Sequence, residues 1–243
     1  MVIVGALGYF VDIYDVTLFM NVREQSLRDL GLGDLIKGGS WYHDLMSWQM
    51  SGMIIGGVVF GIFGDRMGRM TTLFGSILIY SIANIANSFV STFAGYAFWR
   101  FIAGFGLSGE LGGCISLVSE TLSKERRGYG TALVTTIGIL GAVGGGLMAE
   151  AVSWRANYQI GGAMGLLLLI MRIGVNESGM YKAAKAADSN ENSIARGNFL
   201  ALFTDRTRFV KYLRCIFIGL PTWFMIGILV QRTTSHFGPA MNI

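Results

Sequence analysis

Four ionisable residues stand inside runs that are otherwise apolar: Asp12 and Asp15 near the start of the chain, and Arg100 and Glu110 farther on. In hydrocarbon each is costly to keep, so each is a candidate for a functional role. Asp12 and Asp15 are three residues apart and project to adjacent positions on one side of a helix. Counted from the outer ends of their runs, at Asn21 and Ala94, Asp15 and Arg100 each lie roughly 9 Å deep at a helical rise of about 1.5 Å per residue. Equal depth permits a pair. A carboxylate beside an arginine stays ionised and takes a proton when its partner swings away, which is the physical content of a proton-coupling switch. Asp15 is therefore expected as proton carrier with Arg100 as its partner; the same two residues also fit a buried ion pair that only fixes helix packing. Glu110 either titrates or hydrogen-bonds between helices. Nucleophile triads, phosphate loops and zinc spacings do not occur. His43 and His236 have no metal-ligand company, and Cys114 and Cys215 sit within apolar segments as small packing residues. The expectation is no cofactor, no metal and no enzymatic activity.

A second group of charges lies in Gly61-Ile62-Phe63-Gly64-Asp65-Arg66-Met67-Gly68-Arg69. Gly57, Gly61 and Asp65 are spaced by four, so if the preceding helix continues they share one face, where small residues let a neighbouring helix come close. Asp65 can then reach backbone donors or a basic partner, while Arg66 and Arg69 sit at the membrane surface. A tight cytoplasmic loop would by itself account for three glycines and two arginines.

The elements that must hold these residues are read from composition. The chain has 243 residues, 52% hydrophobic and only 14% charged, against roughly 25% charged in a soluble domain. That argues against a water-soluble globule. The net charge of +4 is spent mostly in short loops, as the positive-inside rule expects, and not in a nucleic-acid surface. Uncharged runs at Leu45 to Gly64, Thr71 to Val90, Tyr129 to Ala149, Ala156 to Met171 and Cys215 to Gln231 join a first run ending near Asn21 and one from Ala94 to Val118. These predict seven transmembrane helices, since backbone groups in lipid must be satisfied within the segment. The first lacks the basic flank of a cleaved leader. Taking helix 1 outward, twelve basic residues fall on the side of residues 65–70, 119–128 and 176–213, and four on the other, so those three connections are expected to be cytoplasmic. Residues 1–175 are expected as a six-helix bundle, 176–213 as a polar linker and 214–243 as helix 7 with the start of a second bundle. Since one helix alone follows the linker, the chain is expected to be truncated.

At this point the Gly61 to Arg69 stretch resembles the G-x-x-x-D-R-x-G-R motif of the major facilitator superfamily, in place between helices 2 and 3. Arg100 to Gly106 resembles the R-x-x-x-G-x-G of helix 4, and Glu120 with Arg126, Arg127 and Gly128 resembles the E-x(6)-R-G connection of helices 4 and 5. Trp154-Arg155 and Glu177-Ser178 resemble the W-R before helix 6 and the E-S after it. The sequence departs from the pattern at Met70, where a further base is common, and at Gly179, where a proline is common. The resemblance implies an all-α membrane fold, half of a twelve-helix transporter plus helix 7, and alternating access about a midplane site. It implies that Asp65, Arg66 and Arg69, with Gly61, Gly68, Glu120, Arg126 and Arg127 around them, form a cytoplasmic charge network that latches the outward-facing state. Tyr14-Asp15 resembles the helix 1 acid facing the helix 4 arginine in proton-coupled sugar and metabolite porters, and Gly106 to Glu110 resembles a stretch of metabolite:proton symporters.

The expected function is secondary transport of a small polar metabolite or sugar, coupled to protons by symport, in the cell (inner) membrane. Its expected partners are that substrate, protons, the lipid bilayer and the missing C-terminal half; nucleic acid is not among them. The helix 7 stretch Leu220-Pro221-Thr222-Trp223 lacks the paired glutamines of many sugar porters, and Gly138 to Gly146 on helix 5 lacks the Gly-Pro ending of drug antiporters. The alternatives are a transporter-fold receptor or sensor without transport, and a half-transporter acting as a dimer, which the odd helix count opposes.

Overall fold

A computed structural model describes the backbone of residues 2–32, 40–173 and 201–224 and, outside 2, 40–44, 69–70, 111, 114–121, 201–202 and 222–224, their side chains. All regular structure among these residues is helical: α1 Val2–Asp29, α2 Ser40–Met67, α3 Arg69–Asn87, α4 Phe93–Thr121, α5 Arg127–Ala151, α6 Trp154–Met171, the single turn α7 Ala201–Thr204, and α8 Arg206–Phe224. The chain forms two compact units, Met1–Gly197 and Asn198–Ile243. The first carries α1 to α6.

Local chemistry sets the helix ends. α1 runs past Asn21 to Asp29, where Glu24 and Arg28 pair across one turn at 3.7 Å. It stops where the Gly31 N–H bonds the Arg28 carbonyl at 3.0 Å and the Leu32 N–H bonds the Leu27 carbonyl at 2.8 Å, with Gly31 at φ 73. This is a Schellman closure. The single residue Gly68 separates α2 from α3 at φ 103, ψ 152, a region open essentially to glycine alone. The Asp65 to Arg69 motif is therefore the last turn of one helix and the first of the next. Ser153 caps α6 by accepting from the Ala156 N–H. α8 starts at Arg206, inside the stretch expected to be linker, because the Asp205 carboxylate accepts from the Thr207 N–H at 2.8 Å and pairs with Arg208 at 3.3 Å. Residues 176–200 of that linker, and residues 225–231 of the expected helix 7, lie outside the described residues.

In the first unit α2 packs on α4, α1 on α5, and α3 on both α4 and α6. Glycines allow the close approaches. A Cβ at Gly104 would meet the Gln49 carbonyl of α2, while one at Gly106 would meet the Tyr80 backbone of α3; two residues apart on a helix, they serve opposite neighbours. Gly138, Gly141 and Gly145 of α5 lie against Tyr9, Phe10 and Tyr14 of α1, so Tyr9 and Phe10 are packing residues. On α2 the close face is Gly52 and Gly56, set against the Phe101 and Phe105 carbonyls, and not the expected Gly57 and Gly61, where a Cβ would meet nothing. The faces differ because positions one apart on a helix are turned by about 100°.

Leu18, Phe19, Tyr96, Trp154 and Tyr158 form one buried cluster, and Val11, Ile77, Tyr80, Leu107 and Leu168 another. Outside them Ile54, Leu78, Ile82, Leu133, Ile139, Leu147, Leu167 and Ile170 are exposed, an apolar surface suited to lipid and not to water. Among the described residues three helices are long and apolar enough to cross a membrane on their own composition: Ile3–Asp29, Leu45–Met67 and Arg127–Ala151. α3, α4 and α6 carry Asn84, Asn87, Arg100, Glu110 and Asn157 on faces turned into the bundle.

Candidate functional site

Asp12, Asp15, Arg100 and Glu110 are each 0% exposed, and Arg172, at the C-cap of α6, is 3% exposed. They make a buried polar layer between α1, α3, α4 and α6. Arg172 donates to Glu110 through both terminal nitrogens, Nη1 to Oε2 at 2.7 Å and Nη2 to Oε1. Such a bidentate pair fixes both side chains. It lies directly over α1, since a Cβ on Gly8 would overlap the Arg172 Nη2 and the Glu110 Oε1. Asp12 is one turn beyond Gly8 on the same face. Neither Asp12 oxygen has a hydrogen-bond partner within the protein, nor has the Tyr80 hydroxyl.

Asp15, toward the other end of α1, accepts from Asn84 Nδ2 of α3 at 2.7 Å, while its second oxygen is without a protein partner. Arg100 donates through Nη2 to the Gln49 side-chain carbonyl of α2, and its Nε and Nη1 have no acceptor. Its guanidinium carbon stands 5.2 Å from the Phe19 ring centre and 5.5 Å from that of Tyr158. Such faces favour a cation. Asp15 and Arg100, expected as a pair, feel each other's charge but do not hydrogen-bond to each other; each is held by an amide from a different helix, α3 for the acid and α2 for the base. α1 itself continues past Asn21 to Asp29.

Buried polar atoms without partners are rare in native proteins and cost roughly 1–3 kcal/mol each, more when charged. Here they concentrate on Asp12, Asp15, Asn84, Asn87, Gln49, Tyr80 and Arg100. A set of groups able to change partners is what a moving proton or a polar solute needs. Among the described residues no group of three or more His, Cys, Asp or Glu side chains is arranged to hold a metal ion.

The ends of α1, α3 and α6 that meet around Trp154 are stitched by hydrogen bonds and aromatic contacts. Tyr14 donates to the Asn157 side-chain carbonyl at 3.0 Å, the Tyr96 and Tyr158 hydroxyls share a bond at 2.8 Å, and Trp154 Nε1 donates to Asp29 at 2.8 Å. Arg155 stacks at 4.4 Å on Trp154 and donates to the Val90 carbonyl at 3.2 Å. The W-R pair thus ties the start of α6 to the ends of α1 and α3.

At the opposite ends, Asp65 and Arg66 are exposed on the last turn of α2, and Gly57 and Gly61 border a cleft of about 150 Å³ closed by Phe60, Ser108 and Gly109. Arg126 occupies the N-cap position of α5 without a capping bond from its side chain and is exposed, while Arg127 donates from Nε to the Leu122 carbonyl at 3.3 Å. Glu125 beside them is held below the usual carboxylate range by its own backbone N–H and the Ser123 hydroxyl. The side chains of Arg69 and Glu120, and all of Glu177 and Ser178, lie outside the described residues.

Two functional candidates escaped the sequence. Arg172 follows the last apolar residue, Met171, and reads as an end-of-span charge; its position at a helix C-cap, where a cation meets unpaired carbonyls, was the available signal. Gln49 lies within the Leu45 to Gly64 run, and its side-chain carbonyl proves to be the acceptor for Arg100.

The family model described as Major Facilitator Superfamily matches residues 5–242. The chain is 30% identical over 182 residues to the niacin transporter NiaP of Acinetobacter baylyi, covering 73% of this chain and 40% of that one. It is 26% identical over 247 residues to a gentisate transporter of Corynebacterium glutamicum, covering 98% of this chain and 54% of the relative. It thus spans about half the length of such relatives. Among solved structures it is similar to the xylose transporter XylE of E. coli in a partially occluded inward-open conformation, with a TM-score of 0.67 at 17% identity over 76% of this chain and 51% of that one. These relatives are transporters and not enzymes, and by the extent of the family match the chain belongs to the major facilitator superfamily.

Proposed function

We propose that the chain serves a secondary transporter that carries a small metabolite by alternating access and couples the movement to protons. The observation that carries this reading is the buried acid and base layer of Asp12, Asp15, Glu110, Arg100 and Arg172, for which folding alone gives no return: apolar replacements of buried ion pairs are often as stable. The fold likeness to XylE, described as a transporter of xylose, supports the architecture. The residues of the cytoplasmic ends, Asp65, Arg66, Arg69, Glu120, Arg126 and Arg127, are proposed as the latch that biases the two states, and the connections they occupy as cytoplasmic.

For the substrate, a small organic acid is favoured over a sugar. Arg100 keeps two nitrogens without acceptors in an aromatic surrounding, which suits a carboxylate with an attached ring. The names of two relatives, a niacin and a gentisate transporter, point to acids of that kind.

The test is uptake into proteoliposomes that hold this chain together with the remaining helices of a twelve-helix transporter. Accumulation of niacin or gentisate driven by an inward proton gradient and abolished by an uncoupler is expected, with xylose failing to compete. Binding of the acid with no uptake under any gradient would instead favour the receptor reading.

A further inference from the structure

Among the described residues the buried ionisable groups are three acids, Asp12, Asp15 and Glu110, and two arginines, Arg100 and Arg172. One negative charge is left over if all are ionised, in a layer where none reaches solvent. The hydrogen bonds decide which acid carries the excess. Glu110 takes both terminal nitrogens of Arg172. Asp15 takes the Asn84 amide and lies in the field of Arg100. Asp12 takes nothing from the protein at either oxygen. The groups that face it are Asp15 on its own helix, Tyr80 from α3, Glu110 from α4 and Arg172 from the end of α6. From α5, which packs along α1, the titratable residues Arg127, Tyr129 and Glu150 stand at the two helix ends. Two of the charges facing Asp12 are therefore negative, and the one positive charge is already held by Glu110.

We infer that Asp12, and not Asp15, is the acid that holds a proton in this state, and that Arg172 is a counter-ion shared between Glu110 and Asp12. When Asp12 gives up its proton, Arg172 stands within one helical turn of it, across Gly8, and can move from one carboxylate toward the other. Arg172 is thus a positioning residue: its side chain links the charge on α1 to the end of α6. The inference rests on the proton-coupled reading above and names the carrier within it.

Infrared spectra of the chain in lipid nanodiscs test it without transport. A protonated carboxyl absorbs apart from carboxylates and amides, and exposed acids are ionised at neutral pH. The expected result is one such band at neutral pH, lost in Asp12→Asn and retained in Asp15→Asn. In Glu110→Gln the released Arg172 pairs with Asp12, and the neutral-pH band is lost while the acid-pH band remains. A band that survives Asp12→Asn, or no band in the unsubstituted chain, overturns the assignment; a neutral-pH band unchanged in Glu110→Gln overturns the shared counter-ion. If Asp12→Asn does not fold by circular dichroism, Asp12→Glu must shift the band, and a band that stays in place overturns the assignment equally. Because the spectra are read at equilibrium, they fail or succeed independently of uptake, which alone decides the transport reading.

Discussion

Arg172 and Glu110 differ in what their loss leaves behind. Arg172→Gln strands Glu110 beside an already unpaired Asp12, and removing one partner of a buried pair typically costs about 3–5 kcal/mol. Glu110→Gln leaves an arginine that has a second acid within reach of its field, so a loss of about 1 kcal/mol or less is expected, the scale of one net hydrogen bond. Thermal melting of both variants in nanodiscs checks the asymmetry; equal losses would contradict it. Asp15→Asn is expected to leave stability nearly unchanged, since Asn84 can bond an amide as well as a carboxylate, whereas Asp12→Asn is expected to lower proton-driven accumulation in the assembled transporter while substrate exchange continues. At this scale the sequence exposed the four ionisable residues within its runs but not their partners. Partner choice depends on which helices are neighbours, and Asn84, Gln49 and Arg172 became candidates only once α3, α2 and the end of α6 were placed against α1 and α4.

The existence of the helices was legible because apolar runs of span length leave few other structures, whereas their ends were not. α1 continues through the i,i+4 pair of Glu24 and Arg28, and α8 gains its first turn from the Asp205 cap; charges that mark the end of an apolar run need not mark the end of a helix. The glycines teach the same distinction. Spacing by four put Gly57 and Gly61 on one face correctly, but whether that face is close to a neighbour is a packing fact, and it is Gly52, Gly56 and Gly104 that touch backbone across the α2 and α4 interface. Gly104→Val is accordingly expected to part these helices and to cost about 1–3 kcal/mol or more as overpacking, whereas Gly57→Ala should stay within about 0.5 kcal/mol. Gly68→Ala should cost about 1–3 kcal/mol through its backbone conformation alone. A ranking from melting temperatures in which Gly57→Ala is the worst of the three would reject this picture of the interface.

For the molecule as a whole, the apolar outer surface suits lipid around the first unit, and the distribution of basic residues favours the orientation proposed above. The connection after α4 carries Lys124, Arg126 and Arg127, all within reach of one membrane surface, where each adds to retention on the cytoplasmic side. The connection between α3 and α4 carries no base and places Phe89 at 73% exposure. With six helices that alternate in direction, these two connections must lie on opposite sides. Single cysteines at Ser123 and at Phe89, introduced after Cys114 and Cys215 are replaced by serine, report this directly. In intact cells a membrane-impermeant thiol reagent is expected to label Phe89→Cys and spare Ser123→Cys, and in inverted vesicles the pattern should reverse. Labelling of both from one side would break the six-span reading of α1 to α6, and labelling of Ser123→Cys from outside would invert the orientation. The latch proposed at Asp65, Arg66 and Arg126 would then face the wrong compartment.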